Sequence, residues 1–172
     1  AQEAGIPAGV FNVLSGFGVP VGQALAEHPD VDGVFFTGST ATGKVIMAAA
    51  ARSNLKRVGL ELGGKSPHII LPDCPDLTAA ARAAAGGIFY NQGEMCSAGS
   101  RLLLHRSLMA EFLPRLRQAA ARYQPAQPLD PRTRLGAIVD RTQFERILHY
   151  IALGQDQGAT LAWGGKAALC DS

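Results

Sequence analysis

Apolar positions along the chain fall into two alternating kinds of run. Short ones rich in Val, Ile, Leu and Phe, bounded by Gly or Pro, have the length of strands; longer Ala-rich ones have the length of helices. Val10-Phe11-Asn12-Val13-Leu14 reads as a strand, residues 20–28 as a helix with Pro20 near its first turn, and residues 31–36 as a second strand. Residues 40–52, dominated by Ala, Val, Ile and Met, predict the next helix, and residues 55–62 the next strand. The order βαβαβ, with crossovers long enough for parallel pairing, is half of an open, doubly wound α/β sheet.

After Gly63-Gly64 the pattern changes. A short strand at residues 67–71, a helix at 76–90, a strand at 100–105 and a helix at 107–123 started by Ser107 follow in turn. Pro114 falls inside that last helix and is expected to kink it or to mark a shift in its start. Tyr123-Gln124-Pro125-Ala126-Gln127-Pro128-Leu129-Asp130-Pro131 is too proline-rich for regular structure and reads as a surface connection. A helix over residues 142–157 is expected next, with Thr142 and Glu145 spaced as a capping box and Gly158 as its stop, then a last strand at 159–163. The fold class is therefore α/β: a partial doubly wound parallel sheet in residues 1–63, then part of a second α/β domain in residues 64–172, with the boundary near Gly63.

Composition narrows the function. The chain has 172 residues, 47% hydrophobic and 17% charged, as expected for globular material. Its 16 basic and 14 acidic residues leave a net charge of +2 without a basic cluster, so neither nucleic acid nor an anionic membrane has an electrostatic claim on it. No apolar run has the length of a membrane span, and residues 1–5 lack the pattern of a signal peptide. Cys74, Cys96 and Cys170 form no CxxC pair and no Cys/His cluster, which argues against zinc and disulfides and for reduced thiols in the cytoplasm. The histidines His28, His68, His105 and His149 have no metal-ligand spacing and read as structural or surface residues.

Three segments carry chemistry. In Asn91-Gln92-Gly93-Glu94-Met95-Cys96-Ser97-Ala98-Gly99, one cysteine sits among small and polar residues that favour a loop and the close approach of a ligand. A free cysteine is commonly a buried apolar residue, but this setting suits a nucleophile, whereas Cys74 and Cys170 lack it. Glu61 ends an apolar strand just before Gly63-Gly64, where it could serve as a general base; strand alternation also puts it on the face of Arg57, where it could equally be a solvated charge. Gly38-Ser39-Thr40-Ala41-Thr42-Gly43-Lys44-Val45 follows a strand and opens a helix, and nearly spells the P-loop pattern. Val45 stands where that pattern needs a hydroxyl for Mg²⁺, so a phosphate held by free N–H groups at a helix start fits better than phosphoryl transfer. Gly16-Phe17-Gly18 and Gly22 miss the GxGxxG spacing by one place.

Together these segments resemble the aldehyde dehydrogenase superfamily. Glu61-Leu62-Gly63-Gly64-Lys65-Ser66-Pro67 is similar to its glutamate signature and Asn91-Gln92-Gly93-Glu94-Met95-Cys96 to its cysteine signature, in the right order and 35 residues apart (96 − 61). The resemblance implies that residues 1–63 are the C-terminal part of a dinucleotide-binding domain and 64–172 the N-terminal part of a catalytic domain. It makes Cys96 the nucleophile and Glu61 the base, Gly38 and Ser39 contacts of the cofactor diphosphate, Gly18 a glycine near the adenosine pocket and Leu62 a neighbour of the nicotinamide. It implies NAD or NADP as cofactor, a small-molecule aldehyde as substrate and oxidation to a carboxylic acid through a thiohemiacetal and a thioester.

Asp73-Cys74-Pro75-Asp76-Leu77, Gly87-Ile88-Phe89-Tyr90-Asn91 and Gln127-Pro128-Leu129-Asp130-Pro131 look most like the branch that oxidises 4-(γ-glutamylamino)butanal and related ω-aminoaldehydes. The family's second oxyanion donor, cofactor lysine and ribose-binding glutamate are not found in these residues. The resemblance therefore implies an internal stretch of a longer homo-oligomeric enzyme, expected to be inactive alone. The readings left beside it are a P-loop-like nucleotide-binding module built on residues 38–44 and a non-catalytic structural segment.

Overall fold

The computed structural model describes residues 1–168, and the chain divides into two compact units, Ala1–Gly63 and Gly64–Ser172. It is mixed α/β with parallel strands, as the sequence predicts.

In the first unit a turn over Gly18–Gly22 leads into α1 (Gln23–Glu27), followed by β1 (Gly33–Gly38), α2 (Thr40–Arg52) and β2 (Arg57–Leu62). The strands pair in parallel, Gly33 opposite Arg57 and Gly38 opposite Leu62, with α2 as the crossover. Ser39 caps α2: its hydroxyl accepts a hydrogen bond from the Thr42 N–H at 3.1 Å. The buried side of that helix is small, Gly43, Ala49 and Ala50, so its backbone can lie close to β2. A Cβ on Gly43 would stand 3.0 Å from Leu62 Cδ2 and 3.4 Å from Leu60 Cδ1.

The opposite end of this unit is held by polar side chains. Lys56 is only 7% exposed, and its Nζ donates to the carbonyl of Ala26 at 2.6 Å and to Ser53 Oγ at 3.0 Å. Asn54 Nδ2 donates to the carbonyls of Pro29 at 2.6 Å and Val31 at 3.1 Å. The ends of α1 and α2 and the approaches to both strands are thereby tied together. A cation near the last carbonyls of a helix also matches the helix dipole.

The strand expected at residues 10–14 does not form. Val10 and Phe11 lie in a bend, among the described residues no strand offers the segment a ladder of hydrogen bonds, and Val10, Phe11, Val13 and Leu14 are exposed. The sequence pattern marks a segment able to be a strand, and pairing decides whether it becomes one.

In the second unit β3 (Pro67–Ile70) and β4 (Arg101–Leu104) pair in parallel, Pro67 opposite Arg101, connected through α3 (Leu77–Phe89). Asp76 caps α3, accepting from the N–H groups of Thr78 and Ala79, both at 2.9 Å. α4 (Met109–Ala120) lies against α3, and the core between helices and sheet is Ile70, Ala81, Ala84 and Phe112, the last fully buried. Small Ala81 and Ala84 let the two helices approach while Phe112 fills the space between them, a large share of the burial energy in so small a core.

Three local expectations are corrected in this unit. A 3₁₀ turn, Arg106–Leu108, precedes α4 and is capped by His105, whose Nδ1 lies 2.8 Å from Ser107 Oγ, so Ser107 does not itself start the helix. α4 then runs through Pro114, held on either side by buried Phe112, Ala119 and Ala120. α5 (Arg141–Asp156) is capped by Asp140, not by Thr142: extended Asp140 accepts from the Gln143 N–H at 2.7 Å, so the helix begins at Arg141 and Thr142 already lies in its first turn. Gly158, at φ 91°, ends α5 as expected. The strand at residues 159–163 is absent because the Ala159 N–H turns back to the carbonyl of Gly154 at 2.9 Å, and Leu161 folds against Gly165.

Candidate active site

In the Ala1–Gly63 unit the parallel register gathers four of the sequence-predicted residues at one end of the sheet. Thr37 faces Glu61 and Gly38 faces Leu62, with Ser39 next along the chain, so all sit at the C-terminal ends of β1 and β2. That is the edge where open α/β sheets bind ligands. Glu61 is exposed and Leu62 half-buried, its methyls against Gly43. Ser39 uses its hydroxyl as a cap, also 2.9 Å from Thr42 Oγ1, which leaves the N–H groups of Thr40 and Ala41 without hydrogen bonds among the described residues. These donors at the positive end of a thirteen-residue helix suit a diphosphate. Gly18 lies at the start of the turn before α1, and a Cβ there would meet nothing within 4 Å.

The helix geometry argues against a P-loop. α2 begins at Thr40, so Gly43 and Lys44 already lie in regular helix, and the Gly43 N–H is spent on the carbonyl of Ser39 at 2.9 Å. No loop remains between Gly38 and Lys44 to wrap a phosphate chain, and Gly43 is needed for helix-to-strand packing.

In the Gly64–Ser172 unit, the segments leading into paired strands run side by side. Residues 64–66 lead into β3 and residues 96–100 into β4, with the Arg101 N–H bonded to the carbonyl of Ser66 at 3.2 Å and Arg101 Nε to that of Lys65 at 2.8 Å. This brings Gly64 against Cys96: a Cβ on Gly64 would lie 3.0 Å from the Cys96 carbonyl oxygen.

Cys96 itself is exposed and sits in a turn closed by the Ala98 N–H to the Met95 carbonyl at 3.0 Å. The turn is anchored downstream by buried Ala98 and by the Gly99 N–H to the carbonyl of Gly87 in α3 at 3.2 Å. Gly99 packs on His68, which gives that histidine a structural place. Among the described residues the Cys96 N–H donates no hydrogen bond and stays free beside the thiol. An exposed thiol with a free N–H on the same residue is what attack on a carbonyl and stabilisation of the resulting oxyanion require.

A family model for the aldehyde dehydrogenase family matches residues 1–172. The chain belongs to the aldehyde dehydrogenase family. It is 51% identical over 169 residues to the NADP/NAD-dependent aldehyde dehydrogenase PuuC of Escherichia coli, covering 98% of this chain and 34% of that protein. A crystal structure of a γ-glutamyl-γ-aminobutyraldehyde dehydrogenase from Burkholderia cenocepacia is 62% identical, with a TM-score of 0.87 over 90% of this chain and 31% of that one. An indole-3-acetaldehyde dehydrogenase of P. syringae, solved with NAD⁺, is 55% identical, with a TM-score of 0.95 over 98% and 34% of the two chains. The chain thus spans about a third of the length of these aldehyde dehydrogenases.

Two features of the cysteine turn escape sequence reading. Asn91 and Gln92 both adopt left-handed backbone, φ 48° and 56°, followed by Gly93 at 78°. An asparagine tolerates left-handed backbone and hints at such a turn, but a glutamine does not. The second feature is long-range: Gln92 Nε2 donates to the carbonyl of Ala137 at 3.2 Å, 45 positions along the chain. Of the other cysteines, half-buried Cys74 packs against the core near Ile70, and Cys170 lies outside the described residues. Among the described residues no three His, Cys, Asp or Glu side chains gather as a metal site, and no helix is long and apolar enough to cross a membrane.

Proposed function

We propose that this chain carries the nucleophile, the general base and part of the cofactor cradle of an NAD(P)-dependent aldehyde dehydrogenase, residues 1–63 serving cofactor binding and supplying the base Glu61, and residues 64–172 supplying the nucleophile Cys96. The observation that carries the reading is the exposed Cys96 turn with its unpaired N–H, in a chain matched throughout by the aldehyde dehydrogenase family. The Cys96 thiolate attacks the aldehyde carbon, forming a C–S bond and an oxyanion that the Cys96 N–H stabilises. The C–H bond of this thiohemiacetal then breaks as the carbonyl reforms, giving a thioester on Cys96. Glu61 takes a proton from water, the hydroxide expels the thiolate, and a carboxylic acid leaves.

The cofactor fits the donors available. The Thr40 and Ala41 N–H groups with Gly38 and Ser39 would hold a diphosphate, open space at Gly18 would suit the adenosine end, and Leu62 would offer an apolar wall to the nicotinamide. Bound there, oxidised nicotinamide supplies the hydride acceptor. NAD⁺ complexes of similar proteins support this reading.

For the substrate, the 62% identity to a γ-glutamyl-γ-aminobutyraldehyde dehydrogenase favours ω-aminoaldehydes or their γ-glutamyl derivatives. The reading includes a homo-oligomeric whole enzyme. The test is reduced-nicotinamide formation by an enzyme carrying these residues, over a panel from acetaldehyde to ω-aminoaldehydes, with Cys96→Ser beside it. Cys96→Ser is expected to abolish turnover while leaving NAD⁺ affinity within about twofold, because a neutral hydroxyl lacks the nucleophilicity of a thiolate. Retained turnover in that variant would remove Cys96 from the mechanism, and a tenfold preference for acetaldehyde would overturn the substrate class.

A further inference from the structure

Resting on the proposed role of Cys96, we infer that Gln92 is a positioning residue, whose side-chain amide fixes the strained turn that presents the nucleophile. Three consecutive residues, Asn91, Gln92 and Gly93, have positive φ, and only the third is a glycine. Asparagine tolerates left-handed backbone, but at a glutamine it persists only where surrounding contacts hold it. Upstream of Cys96 the contacts are few. The Glu94 N–H donates to the Asn91 carbonyl at 2.9 Å, and Asn91 Nδ2 lies 3.9 Å from Met95 Sδ, both within the turn itself.

The contact that reaches out of the turn is Gln92 Nε2 to the carbonyl of Ala137 at 3.2 Å. Glu94 also approaches α5, but Gln143 Nε2 to Glu94 Oε1 is 3.5 Å, too long to carry much.

The receiving end is fixed. The Ala126 N–H donates to the Leu135 carbonyl at 3.1 Å, and Pro125 and Leu135 form a bridge, so the segment bearing Ala137 is braced by the proline-rich connection. Gly136 leaves room for the amide: a Cβ there would stand 3.2 Å from Gln92 Nε2. Downstream of Cys96 the anchors are buried Ala98 and the Gly99 bond to α3. Cys96 is therefore held between two fixed points, and Gln92 supplies the upstream one. A thiol needs that fixity because reaction demands a defined approach to the carbonyl carbon.

The test compares Gln92→Met, which keeps the volume and removes the donor, with Gly136→Ala, which crowds the amide without touching the turn. Two measurements are made on each: amide hydrogen exchange at Glu94 and Ala98, and kcat and KM with the best aldehyde. Loss of one hydrogen bond of ordinary net strength is expected to speed exchange at Glu94 by about five- to tenfold, with α3 amides unchanged. kcat is expected to fall about tenfold at constant KM in Gln92→Met, and less in Gly136→Ala. The double variant should be no worse than Gln92→Met, since both act on one contact.

Exchange that rises equally through α3 and α5 would reduce Gln92 to a general stability role and overturn the inference. Local loosening without loss of kcat would overturn it too. An unsubstituted enzyme inactive with every aldehyde would sink the proposed function instead, leaving the exchange at Glu94 to decide whether the tether exists.

Discussion

Gly64 lies against the carbonyl of Cys96, so that a methyl group added at Gly64 would stand 3.0 Å from the oxygen. One glycine therefore sets the space in which the peptide of Cys96, the proposed nucleophile, sits. Gly64 has no positive φ, so alanine is compatible with its backbone and acts through contact alone. Gly64→Ala is expected to shift the Cys96 peptide and lower kcat about ten- to hundredfold. The stability of the unit should stay within about 1 kcal/mol. Steady-state kinetics beside a urea titration checks both, and unchanged kcat would detach Gly64 from the site.

Glu61, the penultimate residue of β2, is exposed, with no hydrogen bond to its side chain among the described residues, which suits its proposed role as a base that must meet water. Glu61→Gln keeps the shape and removes the proton acceptor. Thioester hydrolysis should slow by about 10²–10⁴-fold, so a first burst of reduced nicotinamide should be followed by a stalled acyl-enzyme on Cys96. Stopped-flow absorbance with mass spectrometry of the quenched protein reads both, and a missing burst would give Glu61 a role before hydrolysis.

Much of this architecture is legible because the decisive signals are local. Ser39 and Asp76 are short polar side chains before Ala-rich runs, and helices start directly after both. Gly158 stops α5 because the chain takes positive φ there. What stays hidden depends on partners far along the chain. Residues 10–14 have the composition of a strand but find no ladder; one miss is local, where Asp140, a capping side chain two positions before Thr142, starts α5 by accepting from the Gln143 N–H. At the site, residue identity points to Cys96 and Glu61, but the adjacency of Gly64 and Cys96 follows from the β3–β4 register, and the Gln92 tether from a contact 45 positions away.

Acid should loosen the start of α3. The Ala79 N–H bonded to Asp76, with help from the Thr78 N–H and the guanidinium groups of Arg82 and Arg115, holds its carboxyl below 3.8. A carboxyl depressed in the folded state adds stability above its unfolded pKa and loses it as pH falls through the folded value. The cap should therefore be in full force at neutral pH and fade below about pH 3.8. Asp76→Ala should lower the urea midpoint at pH 7, and its difference from the unsubstituted protein should shrink on acidification. A difference independent of pH would mean that Asp76 acts through something other than its ionised cap.

Gly43 separates the two readings of residues 38–44. If its place is to let α2 lie on β2, then Gly43→Val, whose Cβ alone would stand 3.0 Å from Leu62 Cδ2, must push the helix outward or bend Leu60 and Leu62 aside. Overpacking of this kind costs about 1–3 kcal/mol. Because Ser39 and the free N–H groups ride on the same helix end, and Leu62 is one of the residues displaced, NAD⁺ affinity should fall with stability. Lys44 is exposed and points to no partner in this scheme, so Lys44→Ala should leave both within error, about 0.5 kcal/mol. A phosphate-wrapping loop demands the reverse, with Lys44 decisive for nucleotide binding. Urea denaturation and NAD⁺ calorimetry on the two variants distinguish them: binding lost in Lys44→Ala, with Gly43→Val silent, would restore the P-loop reading and remove α2 from the cofactor cradle.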